Sequence, residues 1–200
     1  MRVGGVDPSL TATGVAVVTH GVAGDGSAYA TADTVPSIGH RGDNLGLRDA
    51  RLAGVVTAVV DFLGEPDLVV VEAVPPPGPM AKSGSASYMD RVGLFWLIAR
   101  AFGARRVPVA EVSPAGRMMY QTGRGGRPPN VTAAQWKAEC LAATRARYPW
   151  VTVANDNEAD ALALATMGAR YLGHPLENGP LPATNLRGLA KVAWPDLISV

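Results

Sequence analysis

Three carboxylates stand where a buried acid needs a reason. Asp7 ends the apolar run Arg2–Asp7 and is followed at once by Pro8; Glu72 directly follows Leu68-Val69-Val70-Val71; Asp160 lies in Asn155-Asp156-Asn157-Glu158-Ala159-Asp160, at the head of an apolar stretch. An ionised group at the end of a buried strand is costly unless it is paired or bound to a cation. Plain structural roles compete with that reading. An Asp-Pro step starts turns, and Asn155 or Asp156 can cap a helix and favour its dipole. Capping accounts for Asp156 but not for Asp160, one turn further in. By helical spacing Asp156, Asn157 and Asp160 share a face, whereas Glu158 points elsewhere. Acids that converge without a His/Cys set suit hard cations, and Mg²⁺ is commonly held by one or two carboxylates together with water and phosphate oxygens. Two such ions about 4 Å apart activate an attacking water and stabilise the leaving oxygen of a phosphodiester.

The elements that must position these acids follow from periodicity. Arg2–Asp7, Gly14–Val18 and Ala28–Val35 are separated by the turn-forming segments Pro8–Thr13 and His20–Ser27, and read as three consecutive antiparallel strands. Within Leu45–Leu63, Leu52, Val55, Val56, Val59, Val60 and Leu63 form a helical stripe. Leu68–Val71 suits a strand buried on both faces. A helix over Ser85–Phe102 follows, then a strand Val107–Val112 and a helix opened by Ser113 as cap with Pro114 in its first turn. Further helices cover Thr132–Arg147 and, after the short apolar stretch Trp150–Ala154, Asp156–Tyr171. The domain is thus expected over residues 1–171. Residues 172–200, punctuated by Pro and Asn and helix-like only at Leu186–Val192, are expected as an arm. With strand two on one side of strand one, a right-handed crossover puts the fourth strand on the other side, parallel to the first. Asp7 and Glu72 then meet at the C-terminal rim, where open α/β sheets place their ligands.

Composition narrows the function classes. Two hundred residues suit one domain. There is no run of some 18 apolar residues and no signal segment at Met1–His20, so neither a membrane span nor a secretory leader is expected, and the cytoplasm is the expected compartment. The single cysteine, Cys140, allows no internal disulfide and no thiolate zinc site. Net charge +1 hides an asymmetry: residues 100–150 carry nine cations and two acids, whereas each of the other quarters carries three cations and five acids. A quarter at +7 reads as a polyanion-binding face. Arg145 and Arg147 read as a solvated helix face. In the loop Gln121–Pro129, by contrast, glycines around Arg124 and Arg127 suit phosphate-backbone contacts that order on binding. Phe95 and Trp96 read as core or dimer interface; His20, His40 and His174 are scattered in turns and take no role.

Three motifs in order resemble the RuvC-type Holliday-junction resolvases of the RNase H-like superfamily: Val3-Gly4-Gly5-Val6-Asp7-Pro8-Ser9 with Thr13-Gly14-Val15-Ala16-Val17, then Val70-Val71-Glu72-Ala73-Val74, then Ala159-Asp160-Ala161-Leu162-Ala163. Met80-Ala81-Lys82 and Arg91-Val92-Gly93 are similar to the family's segment after its glutamate, and Lys137 to a basic residue near the scissile phosphate. The resemblance spans about residues 1–170. It implies an α/β, RNase H-like fold with a five-stranded mixed sheet flanked by helices, and a homodimer. The implied activity is Mg²⁺- or Mn²⁺-dependent nicking of two symmetric strands at a four-way DNA junction, with two ions per active site, in a bacterium or a bacteriophage. Asp7, Glu72 and Asp160 would be catalytic with Lys137, and Asp7 would bridge both ions. Lys82, Arg91, Arg117, Arg124, Arg127 and Lys137 are the expected DNA contacts. Two departures stand out. Where the family has Asp or His three residues before the final aspartate, this chain has Asn157, so the resemblance implies either a more weakly held second ion, through a neutral amide oxygen, or its replacement as ligand by Asp156 through a small register change. Pro75-Pro76-Pro77 takes the place of the family's aromatic at the junction centre, for which Tyr88 or Met80 could substitute.

Three function classes compete. The first is a junction-resolving endonuclease, with a branched-DNA or flap nuclease of the same fold as its near variant. The second is a module that holds junctions without cutting them. The third is a sugar-kinase or actin-like ATPase, whose first phosphate loop is similar but which needs two such domains, and no second phosphate loop is present.

Overall fold

The computed structural model describes residues 1–21, 28–76 and 85–196. Strands β1 (Arg2–Asp7), β2 (Ala12–His20), β3 (Ala28–Pro36), β4 (Leu68–Glu72) and β5 (Val109–Val112) form one mixed sheet in the order β3-β2-β1-β4-β5. The first three are antiparallel neighbours, and β4 runs parallel to both β1 and β5. Val6 pairs with Val71, so the next residue of each strand, Asp7 and Glu72, stands at the same rim.

Period-two alternation sends the strands' apolar residues to two cores. Val6, Val15, Val17, Val69 and Val71 meet α1 (Leu45–Leu63) and α2 (Ser85–Gly103), which contribute Leu52, Val55, Val59, Leu63, Leu94, Ile98 and Phe102. Val3, Ala16, Val18, Leu68 and Val70 face the opposite layer of α3 (Pro114–Thr122), α4 (Ala133–Arg147) and α5 (Asp156–Tyr171). Asp7 and Glu72 continue the second series, Val3-x-Gly5-x-Asp7 and Leu68-x-Val70-x-Glu72, and so project toward α5.

How closely α5 can approach is set by two glycines. A Cβ on Gly5 would lie 2.1 Å from the Ala161 carbonyl oxygen, and one on Gly14 would lie 2.0 Å from that of Asn157. Only a residue without a side chain lets the helix backbone lie directly on β1 and β2. The same contact brings the N-terminal turns of α5 over Asp7. Asn155 caps that helix by accepting from Glu158 N at 3.0 Å.

The strand and helix order matches the sequence reading, with differences at boundaries. β5 begins at Val109 rather than Val107, because Pro108 has no N–H to give a ladder; its carbonyl instead accepts from Val69 N at 3.0 Å. Leu186–Val192 is not one helix. The chain forms a four-residue α6 (Ala183–Leu186) and a 3-10 turn at Leu189–Lys191, bending at Gly188, whose backbone lies against α3. Residues 172–196 pack on the sheet domain. Glu177 accepts from Tyr120 and from Tyr148 (2.6 Å) and pairs with Arg170 at 2.7 Å, Leu176 is buried, and Trp194 stacks on Tyr171 at 4.4 Å. Among the described residues no helix is long and apolar enough to cross a membrane.

Candidate active site

The sheet rim gathers Asp7 from β1, Glu72 from β4 and Asp160 from the second turn of α5. A fourth group joins them from α3. Arg117 is buried, and its guanidinium bridges the two outer acids, with Nε 2.5 Å from Glu72 Oε1 and Nη1 2.5 Å from Asp160 Oδ1. Gln121, one turn further along α3, accepts from Arg117 Nη1 at 2.6 Å and donates from Nε2 to Asp160 Oδ1 at 3.0 Å and to the Ala159 carbonyl at 3.2 Å. Arg147 holds this turn of α3 by donating to the carbonyls of Tyr120 and Gln121 at 2.8 Å each.

The electrostatics of the rim follow from burial and like charge. Burial pushes the Asp7 carboxyl well above the usual carboxylate range, the neighbouring charges of Glu72 and Asp160 push it further, and Arg117 opposes them. Burial raises Asp160 to about 6, against the pull of Arg117 and the Gln121 hydrogen bond. Hard oxygen donors from three elements, recessed together and short of positive charge, are the donor chemistry that suits Mg²⁺ or Mn²⁺. Among the described residues no three acid, His or Cys side chains already stand at metal-ligand spacing, and the Arg117 guanidinium lies between Glu72 and Asp160. Burial pushes the nearby Cys140 thiol up to about 11.

Of the polar residues that open α5, Glu158 turns away. It accepts from Ala154 N at 2.6 Å, Asn155 Nδ2 at 2.8 Å and Thr34 Oγ1 at 3.1 Å, which ties the start of α5 to β3. Asp156 is paired with Lys137 Nζ of α4 at 2.6 Å. That hydrogen bond raises the Lys137 pKa against partial burial, helped by the charges of Asp156, Asp160 and Asp7. Asn157 is half-buried, and its side chain makes no hydrogen bond among the described residues. Beside the acids runs a cleft of about 300 Å³, floored by Met118, Trp136 and Cys140 and rimmed by Arg127, Lys137 and Asp156.

The expected DNA contacts separate. Arg127 and Lys137 rim the cleft. Arg124 stacks over Trp136 at 5.1 Å and pairs with Glu139. Arg91 is exposed on α2, and Lys82, with Met80 and Ala81, lies outside the described residues. Arg117, grouped with them by charge alone, belongs instead to the acid cluster, because α3 aims it inward. Arg145 and Arg147 are likewise not merely a solvated face. Arg145 binds the carbonyls of Val153 and Ala154 at 2.9 and 3.0 Å, and Arg147 braces α3. Sequence reasoning missed the roles of Arg117 and Gln121. The signal was present: the buried face of α3 is Gly116, Arg117, Tyr120 and Gln121, a stripe with no aliphatic residue.

A mixed five-stranded sheet of this order, flanked by helices and carrying acids on β1, β4 and the last long helix, is the RNase H-like fold. Among solved structures, the chain is similar to Thermus thermophilus RuvC at 21% identity and a TM-score of 0.57, covering 86% of this chain and 97% of that one. The same protein in complex with a Holliday junction substrate aligns at 19% identity, TM-score 0.58 and the same coverage. The fowlpox virus resolvase with its Holliday junction DNA aligns at 14% identity and TM-score 0.54, covering 86% of this chain and 99% of that one. No family model and no curated protein matches the sequence.

Proposed function

We propose that this protein is a divalent-metal-dependent endonuclease that resolves four-way DNA junctions by paired phosphodiester nicks. The observation that carries the reading is the convergence of Asp7, Glu72 and Asp160 on one rim of an RNase H-like sheet whose solved relatives in fold are Holliday junction resolvases, two of them bound to junction DNA. Asp7, Glu72 and Asp160 would hold the metal, with Asp156 or Asn157 at its margin. The bound ion supplies activation of water and neutralisation of charge on the phosphate.

The chain's own residues do the rest. Gln121 fixes the orientation of the Asp160 carboxylate, and the recessed rim limits water around the acids. Lys137 carries its charge at the mouth of the cleft, where it can meet a phosphate once Asp156 is engaged elsewhere, and its positive charge favours the oxyanion that develops there. Arg127 and Arg124 flank the same cleft and suit backbone contacts that position without specifying.

The test is nicking of a synthetic four-way junction with Mg²⁺ and with EDTA, alongside Asp7→Asn, Glu72→Gln and Asp160→Asn. Wild type should cut two opposed strands only with metal. Each variant should lose cleavage by several orders of magnitude while holding the junction as well or better, since each removes repulsion against phosphate. Full activity in any one of them, or wild-type cutting in EDTA, refutes the assignment.

A further inference from the structure

Arg117 is not a residue a metal-binding acid cluster needs, yet it is built into this one. Its guanidinium takes one oxygen from each of two carboxylates, Glu72 Oε1 and Asp160 Oδ1, both at 2.5 Å. Its seat is fixed by Gln121, which accepts from Nη1 and is itself held by the Ala159 carbonyl. Among the described residues no basic or amide donor reaches the second oxygen of either carboxylate, and the Asp7 carboxyl lies within hydrogen-bond reach of Glu72, so the three acids face one another as candidate ligands for something else.

Charge limits what that is. The cluster holds three carboxylates, Asp7, Glu72 and Asp160, against the single cation of Arg117. In the chain without DNA, Asp156 is answered by Lys137 at 2.6 Å, and Asn157 is neutral. With all three acids ionised, the state a bound cation favours, the unbalanced charge equals that of one divalent ion. A second ion would have to enter a site already neutral, share both occupied oxygens with a guanidinium and lie close to its positive charge.

We propose that Arg117 is a resident cation standing in for one of the two ions the fold's chemistry would otherwise use, so that the chain by itself would bind a single divalent ion, held by Asp7, Glu72 and Asp160. The inference rests on the metal-dependent reading above and deepens it. It assigns Arg117 to the metal centre rather than to the DNA face.

The test reads metal directly, without DNA or turnover. Mn²⁺ is titrated into the full chain and followed by electron paramagnetic resonance of the free ion, for wild type, Arg117→Met and Arg117→Lys, with folding checked by circular dichroism. Wild type and Arg117→Lys should each bind one Mn²⁺ per chain. Arg117→Met should bind two, the first at least tenfold tighter than in wild type. Because Arg117→Met leaves two buried acids unpaired, it is also refolded in millimolar Mn²⁺, and it should regain the native spectrum there but not in EDTA. Two ions on wild type, or one unchanged ion on Arg117→Met, would overturn the proposal while leaving metal dependence standing. Failure of Arg117→Met to fold at any Mn²⁺ concentration would overturn it too, because the ion could then not replace the guanidinium. No binding by any of the chains would remove both the proposal and the metal-dependent reading beneath it.

Discussion

Asp7 and Asp160 are held in a place that favours their protons, and this makes the stability of the metal-free protein depend on pH in a defined direction. A carboxyl whose folded pKa is raised contributes stability that is complete below its unfolded value, near 4, and lost as pH rises through the folded value, about 6 for Asp160. The melting temperature in EDTA should therefore fall as the pH is raised from 4.5 to about 7. Mn²⁺ should flatten that slope, since the bound cation favours the ionised acids and its own affinity rises as the protons leave. Asp160→Asn should reduce the slope in EDTA. Thermal melts at a series of pH values decide it, and a melting temperature that is level or rises over that range counts against the buried, proton-favouring rim. The three acids were legible in the sequence because each breaks a local rule: a charge after a β-branched run, a charge inside an apolar helix. Arg117 gives a weaker signal, a helix stripe with no aliphatic residue. One arginine on a nine-residue helix reads as a solvated charge, and only the parallel register of β4 and β5, with Glu72 paired to Val112 just before α3, carries it between two acids.

At the scale of elements, the closest joint in the molecule is α5 on β1 and β2, and it is a joint of backbones. Gly14→Ala would put a Cβ 2.0 Å from the Asn157 oxygen and 2.6 Å from its carbonyl carbon, so the first turn of α5 would have to lift, carrying Asn157 and Asp160 away from Asp7. Forced overpacking of this kind costs ~1–3 kcal/mol or more. Activity should drop well beyond what the lost stability explains, because the acids are separated. Gly54→Ala is the control. It lies on the exposed side of α1 with nothing within 4 Å, and alanine there should leave activity unchanged and add up to ~1 kcal/mol of helix stability. Denaturant melts and junction nicking of the two variants separate the effects; equal behaviour would mean that α5 tolerates the shift. The elements themselves followed from periodicity, since buried runs such as Leu68–Val71 and the stripe of Leu45–Leu63 need no tertiary information. What periodicity could not supply was the pairing of residues 172–196 with the domain. Glu177 in a Pro- and Asn-rich segment gives no local hint that Tyr120, Tyr148 and Arg170 converge on it.

At the scale of the whole molecule, two surfaces can be tested as partner faces. On α2, Met89 and Trp96 are seven residues apart on one face and 63% and 64% exposed. A four-way junction presents two symmetric strands, and a two-fold dimer would present two identical rims to them. Trp96→Glu should then shift the protein to a slower-sedimenting species and convert paired nicks to single ones, whereas unchanged sedimentation at micromolar concentration would rule out this face as the interface. The second surface is the basic quarter, and its nine cations do not make one face. Arg117 is buried in the acid cluster and Arg145 and Arg147 are spent on backbone carbonyls, while Arg127 and Lys137 line the cleft and Arg124 stacks on Trp136 beside it. Each phosphate neutralised on duplex DNA steepens the fall of log affinity with log salt by roughly 0.9. Replacing Arg124 and Arg127 together by alanine should flatten that slope by about one to two, weaken junction and duplex alike, and leave the cut position unchanged, because backbone contacts position without specifying. Arg124 is engaged by Glu139 and Trp136 and Arg127 by the Val131 carbonyl, so each single alanine variant should account for only part of the loss. Lys137→Ala should differ in kind, lowering turnover more than affinity if its charge acts on the phosphate being cut. Binding isotherms at four salt concentrations and single-turnover cleavage distinguish the two groups, and equal losses of binding and turnover would assign Lys137 to the same backbone-contact set as Arg127.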